Sequence, residues 1–426
     1  MRTHHVLALV VLGALGHARA QDRALLKGPL LQDVRHDGVT VSVQVARAGD
    51  LVVVARARGG AEVRRTREGI DAGAVAHVEL GGLTPATRYD YEVTLGRAIA
   101  RGSFHTAPAP GAVVPSHLST IVVYGDDRTQ HDEHARVVRA IRRDRPTLLL
   151  HSGDLVEDGS DESHWQTFFD IERDLLASTP VHFALGNHEI GWGGDISLWQ
   201  RYVRTPGGSP RPDRYWATSY GHIRIIGIDS NDDFADGEQR RWLETELRDA
   251  RTRHRARLVF AMAHHGPYSS GRHGNHRAMH AFGIPELLER HRVDLFLQGH
   301  DHVYERGESP AGLKYLISGG AGAPLYPWLR RSTLTRAFEA AHHHVRLVVR
   351  DTAVSITAVR PDGGVIERCS FQGPGRWKCG RDIVTPDSPA WPLWAPRPWI
   401  VLVAVAVAAL VASALVVRAR RRAEGR

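Results

Sequence analysis

The sequence predicts an α/β domain that follows a small all-β sandwich and precedes a single C-terminal transmembrane helix. Three observations support this prediction. Short β-rich runs fill residues 24–107, apolar strands alternate with amphipathic helices over 119–360, and residues 399–417 contain no charged side chain. Of the 426 residues, 42% are hydrophobic and 24% charged, which suits a globular protein with more than one domain and excludes a disordered or fibrous chain.

The net charge of +8 does not indicate a nucleic-acid-binding protein. Arg2 and Arg19 lie in the first 20 residues, and the last nine residues hold five arginines and one glutamate, so the two ends account for +6. The remaining net charge of +2, carried by residues 21–417, does not indicate a basic surface. No nucleic acid binding is therefore expected beyond a possible substrate. The 26 histidines instead favour metal binding or proton transfer near neutral pH.

Residues 1–20 have the pattern of a signal peptide. An apolar run from Val6 to Gly16 precedes Ala18-Arg19-Ala20, a small-x-small cleavage pattern. We therefore expect an exported chain whose mature form begins at Gln21.

Residues 399–417 are 19 uncharged residues, which as a helix would span about 28 Å and cross a bilayer. The arginine-rich tail at 418–426 should stay in the cytoplasm, which leaves the main domains periplasmic or extracellular and anchored to the cell membrane. A buried core helix is one alternative. A second is the removable sorting signal of some bacterial surface proteins.

Residues 361–398 connect the α/β domain to the predicted membrane helix. Cys369 and Cys379 are the only cysteines, and a glycine- and proline-containing turn lies between them. In an exported protein this pair predicts a disulfide that closes a small loop. Prolines and tryptophans in the rest of the segment are typical of a membrane-proximal stalk.

The segment Leu83-Thr84-Pro85-Ala86-Thr87-Arg88-Tyr89-Asp90-Tyr91 resembles the tyrosine corner of fibronectin type III domains. In that corner a tyrosine hydroxyl bonds to the chain's own backbone. Residues 24–107 are therefore predicted to be a fibronectin type III-like sandwich without chemistry of its own.

Five apolar strands within 119–360 each end in a polar cluster. The clusters are Gly125-Asp126, Gly153-Asp154, Gly186-Asn187-His188-Glu189, His264-His265 and Gly299-His300-Asp301-His302. Because the carboxyl ends of strands meet at one edge of an open α/β sheet, the clusters are expected to converge. Carboxylate, amide and imidazole ligands without thiolate favour Zn, Fe or Mn, and two ions fit the number of ligands.

These motifs, in this order, resemble those of the calcineurin-like metallophosphoesterases, and the preceding β-sandwich favours the purple acid phosphatase-like branch. The resemblance covers about residues 26–350 and implies a four-layer α/β/β/α sandwich with two metal ions (Fe, Zn or Mn). It implies Asp126 and His302 at the first ion, Asn187, His264 and His300 at the second, and Asp154 between them.

The resemblance also implies that a metal-bound hydroxide hydrolyses a phosphate ester. His188 and His273 would donate protons or hydrogen bonds to the phosphate or the leaving group, and His276 is an alternative to His273. The favoured activity is that of an acid phosphatase-like phosphomonoesterase. The alternatives are a phosphodiesterase or nucleotidase of the same fold, and a non-catalytic surface-anchored binding protein with a degenerate metal site.

The chain departs from the family pattern at the first metal. Where family members carry a histidine two residues after the first aspartate, or a tyrosine three residues after the bridging one, this chain has Arg128 and Glu157. No tyrosinate-to-iron charge-transfer colour is therefore expected. Arg128 is predicted to clamp a phosphate bidentately, with an ordinary surface arginine as the alternative. Glu157, His131, His134 or water is left to complete the first metal.

Other polar residues are assigned more modest roles. His342, His343 and His344 are predicted to be exposed at a strand edge. Asp301 is expected to point away from the metals, and His265 is left open between a position behind the metal ligands and a contact with substrate.

Overall fold

The structure, a computed structural model, describes residues 24–380 apart from residues 61, 192, 233 and 331. The predicted signal peptide (1–20), the membrane helix (399–417) and the basic tail (418–426) lie outside the described residues, as does most of the stalk. Within the described part of the chain, no helix is long and apolar enough to cross a membrane.

The N-terminal region is all β, as its alternating apolar residues predict. Its strands are β1 (Leu25–Gln32), β2 (Gly38–Val45), β3 (Gly49–Ala57), β4 (Glu62–Ile70), β5 (Val75–Gly81), β6 (Arg88–Leu95) and β7 (Ala98–His105). The hydroxyl of Tyr89 accepts a hydrogen bond from the backbone N–H of Thr84 at 2.9 Å, which is the interaction expected of a tyrosine corner.

The rest of the chain alternates strands and helices. Its strands are β8 (Thr120–Tyr124), β9 (Leu148–His151), β10 (Val181–Phe183), β11 (Trp216–Tyr220), β12 (Ile223–Gly227), β13 (Leu258–Met262), β14 (Leu295–Gln298), β15 (Tyr304–Glu308), β16 (Lys314–Ser318), β17 (Thr335–Glu339), β18 (His344–Arg350), β19 (Ala353–Val359), β20 (Val365–Gln372) and β21 (Lys378–Cys379). Its helices are α1 (His131–Asp144), α2 (Glu162–Leu176), α3 (Ser197–Tyr202), α4 (Glu238–Ala250), α5 (Arg277–Ala281) and α6 (Ile284–Arg290), with a 3₁₀ turn at Ser116–Leu118.

Two sheets pack face to face, and helices cover their outer faces. On β8, Ile121 and Val123 belong to the apolar core between the sheets, whereas Val122 and Tyr124 belong to the core beneath α1 and α2. β13 alternates in the same way between the inter-sheet core and the core that contains α4 and α6 residues. Side chains of a strand alternate between its two faces, so these memberships define an α/β/β/α arrangement.

The five strands that carry the polar clusters divide between the two sheets. β8, β9 and β10 are parallel neighbours in a ten-stranded sheet of order β21-β20-β19-β18-β8-β9-β10-β1-β2-β5. β13 and β14 are parallel neighbours in a seven-stranded sheet of order β11-β12-β13-β14-β16-β15-β17. The clusters therefore meet across two facing sheets rather than along one.

The N-terminal region shares the ten-stranded sheet. β1 pairs in parallel with β10 through Gln32 and Val181, while β3, β4, β6 and β7 form a separate four-stranded sheet. The Tyr91 hydroxyl also donates to the carbonyl of Ala177, just after α2, at 2.8 Å. Strands β1, β2 and β5 of the predicted sandwich are therefore continuous with the ten-stranded sheet of the α/β domain.

The C-terminal strands extend the same sheet on its other side. β20 and β21 fall in the segment assigned from sequence to a disulfide loop, and the predicted Cys369–Cys379 disulfide joins them. The exposed histidine edge is a wrong prediction, because His343 and His344 are buried. A carboxylate explains the burial of His344, whose Nε2 lies 2.7 Å from Oδ2 of Asp144.

Candidate metal centre

All six predicted metal ligands lie at the ends of the five cluster-bearing strands. Asp126, Asp154 and Asn187 follow β8, β9 and β10, and His264 and His300 follow β13 and β14, with His302 two residues further on. The two facing sheets thus bring together residues from both halves of the domain.

The first group of ligand atoms comes from Asp126, Asp154 and His302. These atoms lie within 4.8 Å of one another and all three residues are buried. The Nδ1–H of His302 donates to the Pro324 carbonyl at 2.7 Å, which leaves Nε2 to face Oδ1 of Asp126 at 3.6 Å. Burial lowers the pKa of His302 to about 4, so the ring is neutral and the Nε2 lone pair is available to a metal.

The second group centres on His264. Its Nε2 lies 3.2 Å from Oδ1 of Asp154, 3.1 Å from Oδ1 of Asn187 and 3.2 Å from Nδ1 of His300. Its Nδ1–H donates to the Ser152 carbonyl at 2.9 Å, which fixes the ring with Nε2 toward the other ligands. Asp154 therefore lies in the first ligand group and in contact with the second.

Three of these residues have strained backbones. Asp126, Asp154 and His300 have φ values of 58°, 58° and 67°, in the left-handed region that residues with a Cβ rarely adopt. The backbone N–H of His300 donates to both carboxylate oxygens of Asp126 at 3.0 Å. A Cβ on Gly299 would lie 2.2 Å from Oδ2 of Asp126, so this close approach requires glycine.

The donor atoms fit a pair of divalent cations. Burial raises the pKa of Asp126 well above its usual value, so this carboxylate needs adjacent positive charge to remain ionised. Asp154, equally buried, lies beside it. Two bound cations would neutralise both carboxylates, and the oxygen and imidazole donors suit Zn, Fe or Mn.

Glu189 is a positioning residue to which the sequence analysis assigned no role. Its buried carboxylate accepts backbone hydrogen bonds from Asp154 at 2.9 Å, Leu155 at 2.7 Å, Val156 at 3.3 Å and Gly186 at 2.8 Å. It therefore ties the loop that carries Asp154 to the loop that carries Asn187. The sequence could have indicated this role, because Glu189 ends the Gly-Asn-His-Glu motif and directly follows two predicted site residues.

Arg128 faces the bridging carboxylate. Its Nε lies 3.4 Å from Oδ2 of Asp154, its side chain is only 11% exposed, and it also pairs with Glu157. It is therefore not an ordinary surface arginine. Among the proposed substitutes for the missing first-metal ligand, His131 is exposed, His134 pairs with Asp127 and Glu172, and Glu157 pairs with Arg128.

His188 presents one nitrogen to the site. Its Nδ1–H donates to the Glu157 carbonyl at 2.6 Å, and its backbone N–H donates to Oδ1 of Asp154 at 3.0 Å. Its Nε2 then lies 3.9 Å from Oδ2 of Asp154. With Nδ1–H held by this carbonyl, Nε2 carries the lone pair of the neutral ring and can donate to a group bound over Asp154 only from the imidazolium.

The loop after β13 contributes a second histidine. The ring centroid of His273 lies 4.1 Å from that of His300. The alternative residue, His276, uses its side chain to accept a hydrogen bond from Met279 at the start of α5. Asp301 points away from the ligands, as expected, and accepts from the backbone N–H of His273 at 2.9 Å.

His265 lies behind one of the ligands. Its ring centroid is 4.0 Å from that of His300, and Nδ1 lies 2.9 Å from Oγ of Ser230. His265, His273, His276 and His300 line one cleft of about 570 Å³. The cleft opens from the second group of ligands.

Comparison with known proteins assigns the domain. Residues 119–304 match the family model described as calcineurin-like phosphoesterase. This segment is a calcineurin-like phosphoesterase domain. Residues 22–108, in front of the phosphoesterase domain, match a family described as a domain of unknown function (DUF7800).

Purple acid phosphatases are among the proteins to which this chain is similar. Purple acid phosphatase 1 of Ipomoea batatas is 26% identical over 267 residues, which cover 59% of this chain and 55% of that protein. The chain spans about half the length of the curated relatives it matches first.

Solved structures share the fold. Purple acid phosphatase PPD1 from yellow lupin (Lupinus luteus) seeds has a TM-score of 0.67 at 20% identity, over 86% of this chain and 77% of that one. A structure of PhoD has a TM-score of 0.64 at 13% identity, over 85% of this chain and 92% of that one. At these identities the likeness concerns the fold alone.

Proposed function

We propose that this chain is a metal-dependent phosphoric ester hydrolase that acts on phosphomonoesters with two divalent cations. The observation that carries the proposal is the position of Asp154, which lies within one ligand group with Asp126 and His302 and 3.2 Å from His264 in the other. The phosphoesterase family of residues 119–304 supports the same reaction class.

The cations, when bound, would neutralise phosphate charge and supply a nucleophile by lowering the pKa of a water molecule. The chain's own residues then bind and orient the ester. Arg128 is largely buried beside Asp154, where its guanidinium can donate two parallel hydrogen bonds to phosphate oxygens. His188 keeps its Nδ1–H on the Glu157 carbonyl, so it would donate a proton from Nε2 to the leaving oxygen as the imidazolium.

A monoester is favoured over a diester because of its charge. Arg128, His188 and His273 place three donors of positive or partial positive charge around the two ligand groups. A phosphomonoester carries up to two negative charges near neutral pH, and a diester carries one. The site therefore complements the monoester better.

A substrate panel tests the proposal. Full-length protein is stripped of metal, reloaded separately with Mn, Zn and Fe, and assayed with p-nitrophenyl phosphate, bis(p-nitrophenyl) phosphate and nucleoside monophosphates. We expect metal-dependent hydrolysis with the monoesters fastest. Faster hydrolysis of the diester would identify a phosphodiesterase. Metal binding without turnover of any ester would favour the non-catalytic binding protein.

We also propose that the phosphoesterase domain is exported and anchored to the cell membrane. The signal-like residues 1–20 and the uncharged residues 399–417 support this location, as does the Cys369–Cys379 disulfide. Protease added to intact cells or spheroplasts should then digest the domain, which should sediment with membranes. A protected, freely soluble chain would contradict the proposal.

A further inference from the structure

A second cluster of metal-binding side chains lies beside the candidate metal centre and is formed by different residues. Asp127 follows Asp126 in the loop after β8, His134 is on α1, and Glu172 is on α2. One ligand atom from each residue lies within 4.8 Å of the others, and all three residues are buried. The reaction proposed above uses none of them.

The geometry places one imidazole nitrogen between two carboxylates. Nε2 of His134 lies 2.8 Å from Oδ2 of Asp127 and 2.9 Å from Oε1 of Glu172. A single N–H makes a linear hydrogen bond to only one of these oxygens. Separations of about 3 Å are also those of neighbouring ligand atoms around a metal with bonds of about 2.0–2.2 Å.

A hydrogen bond from the backbone determines which ring nitrogen of the neighbouring His151 carries the proton. The backbone N–H of Gly153 donates to Nδ1 of His151 at 3.1 Å, so this ring nitrogen carries a lone pair and the proton is on Nε2. That Nε2 lies 3.3 Å from Oδ1 of Asp127. His151 thus faces the second oxygen of Asp127, in the position that outer partners of ligating carboxylates take.

With both carboxylates ionised, the charges of the cluster do not balance without a further cation. The side chains of Asp127 and Glu172 are both 0% exposed, and within the described residues neither has an ion pair with a lysine or arginine. Even a protonated His134 leaves one negative charge in an apolar surrounding that includes Phe168. An uncompensated buried charge is strongly unfavourable. A divalent ion with neutral His134 balances both carboxylates.

Unpartnered atoms also point to a missing ligand. Oε2 of Glu172 is buried without a well-aligned hydrogen bond to any described residue, and the buried oxygens of Asp127 have only two imidazole nitrogens beside them, at 2.8 and 3.3 Å. Buried polar atoms in folded proteins nearly always have a partner. A cavity of about 170 Å³, lined by Asp127, His134 and Phe168 among others, adjoins the cluster and gives an ion and a water molecule access.

We propose that Asp127, His134 and Glu172 bind a divalent metal ion, of the class that takes imidazole and carboxylate ligands, such as Zn²⁺ or Mn²⁺. The ion would join α1 and α2 to the end of β8, next to Asp126. It would thus hold the first strand of the candidate centre against the helical layer. This site does not depend on the proposed phosphoesterase activity.

Anomalous diffraction from crystals of the full chain grown with Mn²⁺ tests the site directly. We expect an anomalous peak at bonding distance from Nε2 of His134 and from oxygens of Asp127 and Glu172. A map without a peak between these three side chains would overturn the proposal, whatever it shows at Asp154.

Metal content gives a second readout. His134→Gln and Glu172→Gln should each lower bound Mn²⁺ by one ion per chain, whereas Arg139→Gln, a change of an exposed residue on the same helix, should leave the content unchanged. Folded His134→Gln protein with the wild-type metal content would contradict the site. If the variants do not fold, the wild-type anomalous map decides alone.

Discussion

Nε2 of His264 lies 3.2 Å from Oδ1 of Asp154, although the two residues follow strands of different sheets. The contact joins the ten-stranded and seven-stranded sheets at their ligand-bearing ends. Asp154 also belongs to the ligand group of Asp126 and His302. The candidate centre is therefore an interface between two sheets, and its geometry depends on how they pack.

Glu189→Gln should weaken metal binding while the fold is retained. The Glu189 carboxylate accepts four backbone hydrogen bonds, and glutamine replaces one accepting oxygen by an NH₂ group that repels N–H donors. We expect the half-saturating Mn²⁺ concentration for aryl phosphate hydrolysis to rise about 10- to 100-fold. Glu68→Gln, on the exposed face of β4, is the matched control, and equal effects of the two changes would contradict the positioning role.

Arg128→Ala should raise KM for p-nitrophenyl phosphate about 10- to 100-fold, because it removes charge-assisted hydrogen bonds to the phosphate. Arg128→Lys should restore only part of the affinity, since an ammonium does not reproduce the two parallel donors of the guanidinium. Steady-state kinetics of both variants check this expectation. Arg139→Ala, an exposed arginine on α1, should have no effect. An unchanged KM in Arg128→Ala would exclude the phosphate clamp.

Asp144→Asn should destabilise the fold in a pH-dependent manner. Burial alone would raise the pKa of Asp144, but the hydrogen bond and charge of His344, together with Arg346, hold it below the usual value. The carboxylate therefore contributes stability above the unfolded pKa of about 3.9, and this contribution is lost as the pH falls through the lower folded pKa.

Urea unfolding of wild type and Asp144→Asn measures this contribution. The expected difference in the free energy of unfolding is about 1–2 kcal/mol at pH 7, as for a hydrogen bond between charged groups, and it should shrink toward zero as the pH approaches 2. A difference that does not change with pH would mean that the variant acts through packing instead.

The convergence of the six residues was predictable because each one lies in a short polar cluster that follows a buried strand. Asp126, Asp154 and His264 stand at such ends, and parallel strands present their carboxyl ends on one side. Local sequence carries this information. It does not carry the division of the strands between two sheets, or the pairing of β1 with β10, because both depend on contacts between distant segments.

The Asp127–His134–Glu172 cluster was not predictable for the same reason. His134 and Glu172 lie on two helices, and only the packing of those helices on β8 brings them to Asp127. The burial of His344 was likewise missed, since its partner Asp144 ends a helix that is remote in sequence. A polar residue whose hydrogen-bond partner is far away in the sequence is predicted to be exposed when only the sequence is considered.

The rate of p-nitrophenyl phosphate hydrolysis by Mn²⁺-loaded wild type and Asp154→Asn tests the central claim most directly. We expect metal-dependent turnover by the wild type and a loss of at least about a hundredfold in kcat/KM in Asp154→Asn, because the shared carboxylate is removed from both ligand groups. Asp90→Asn, on the exposed surface of β6, should match the wild type. Wild-type turnover by Asp154→Asn would contradict the account.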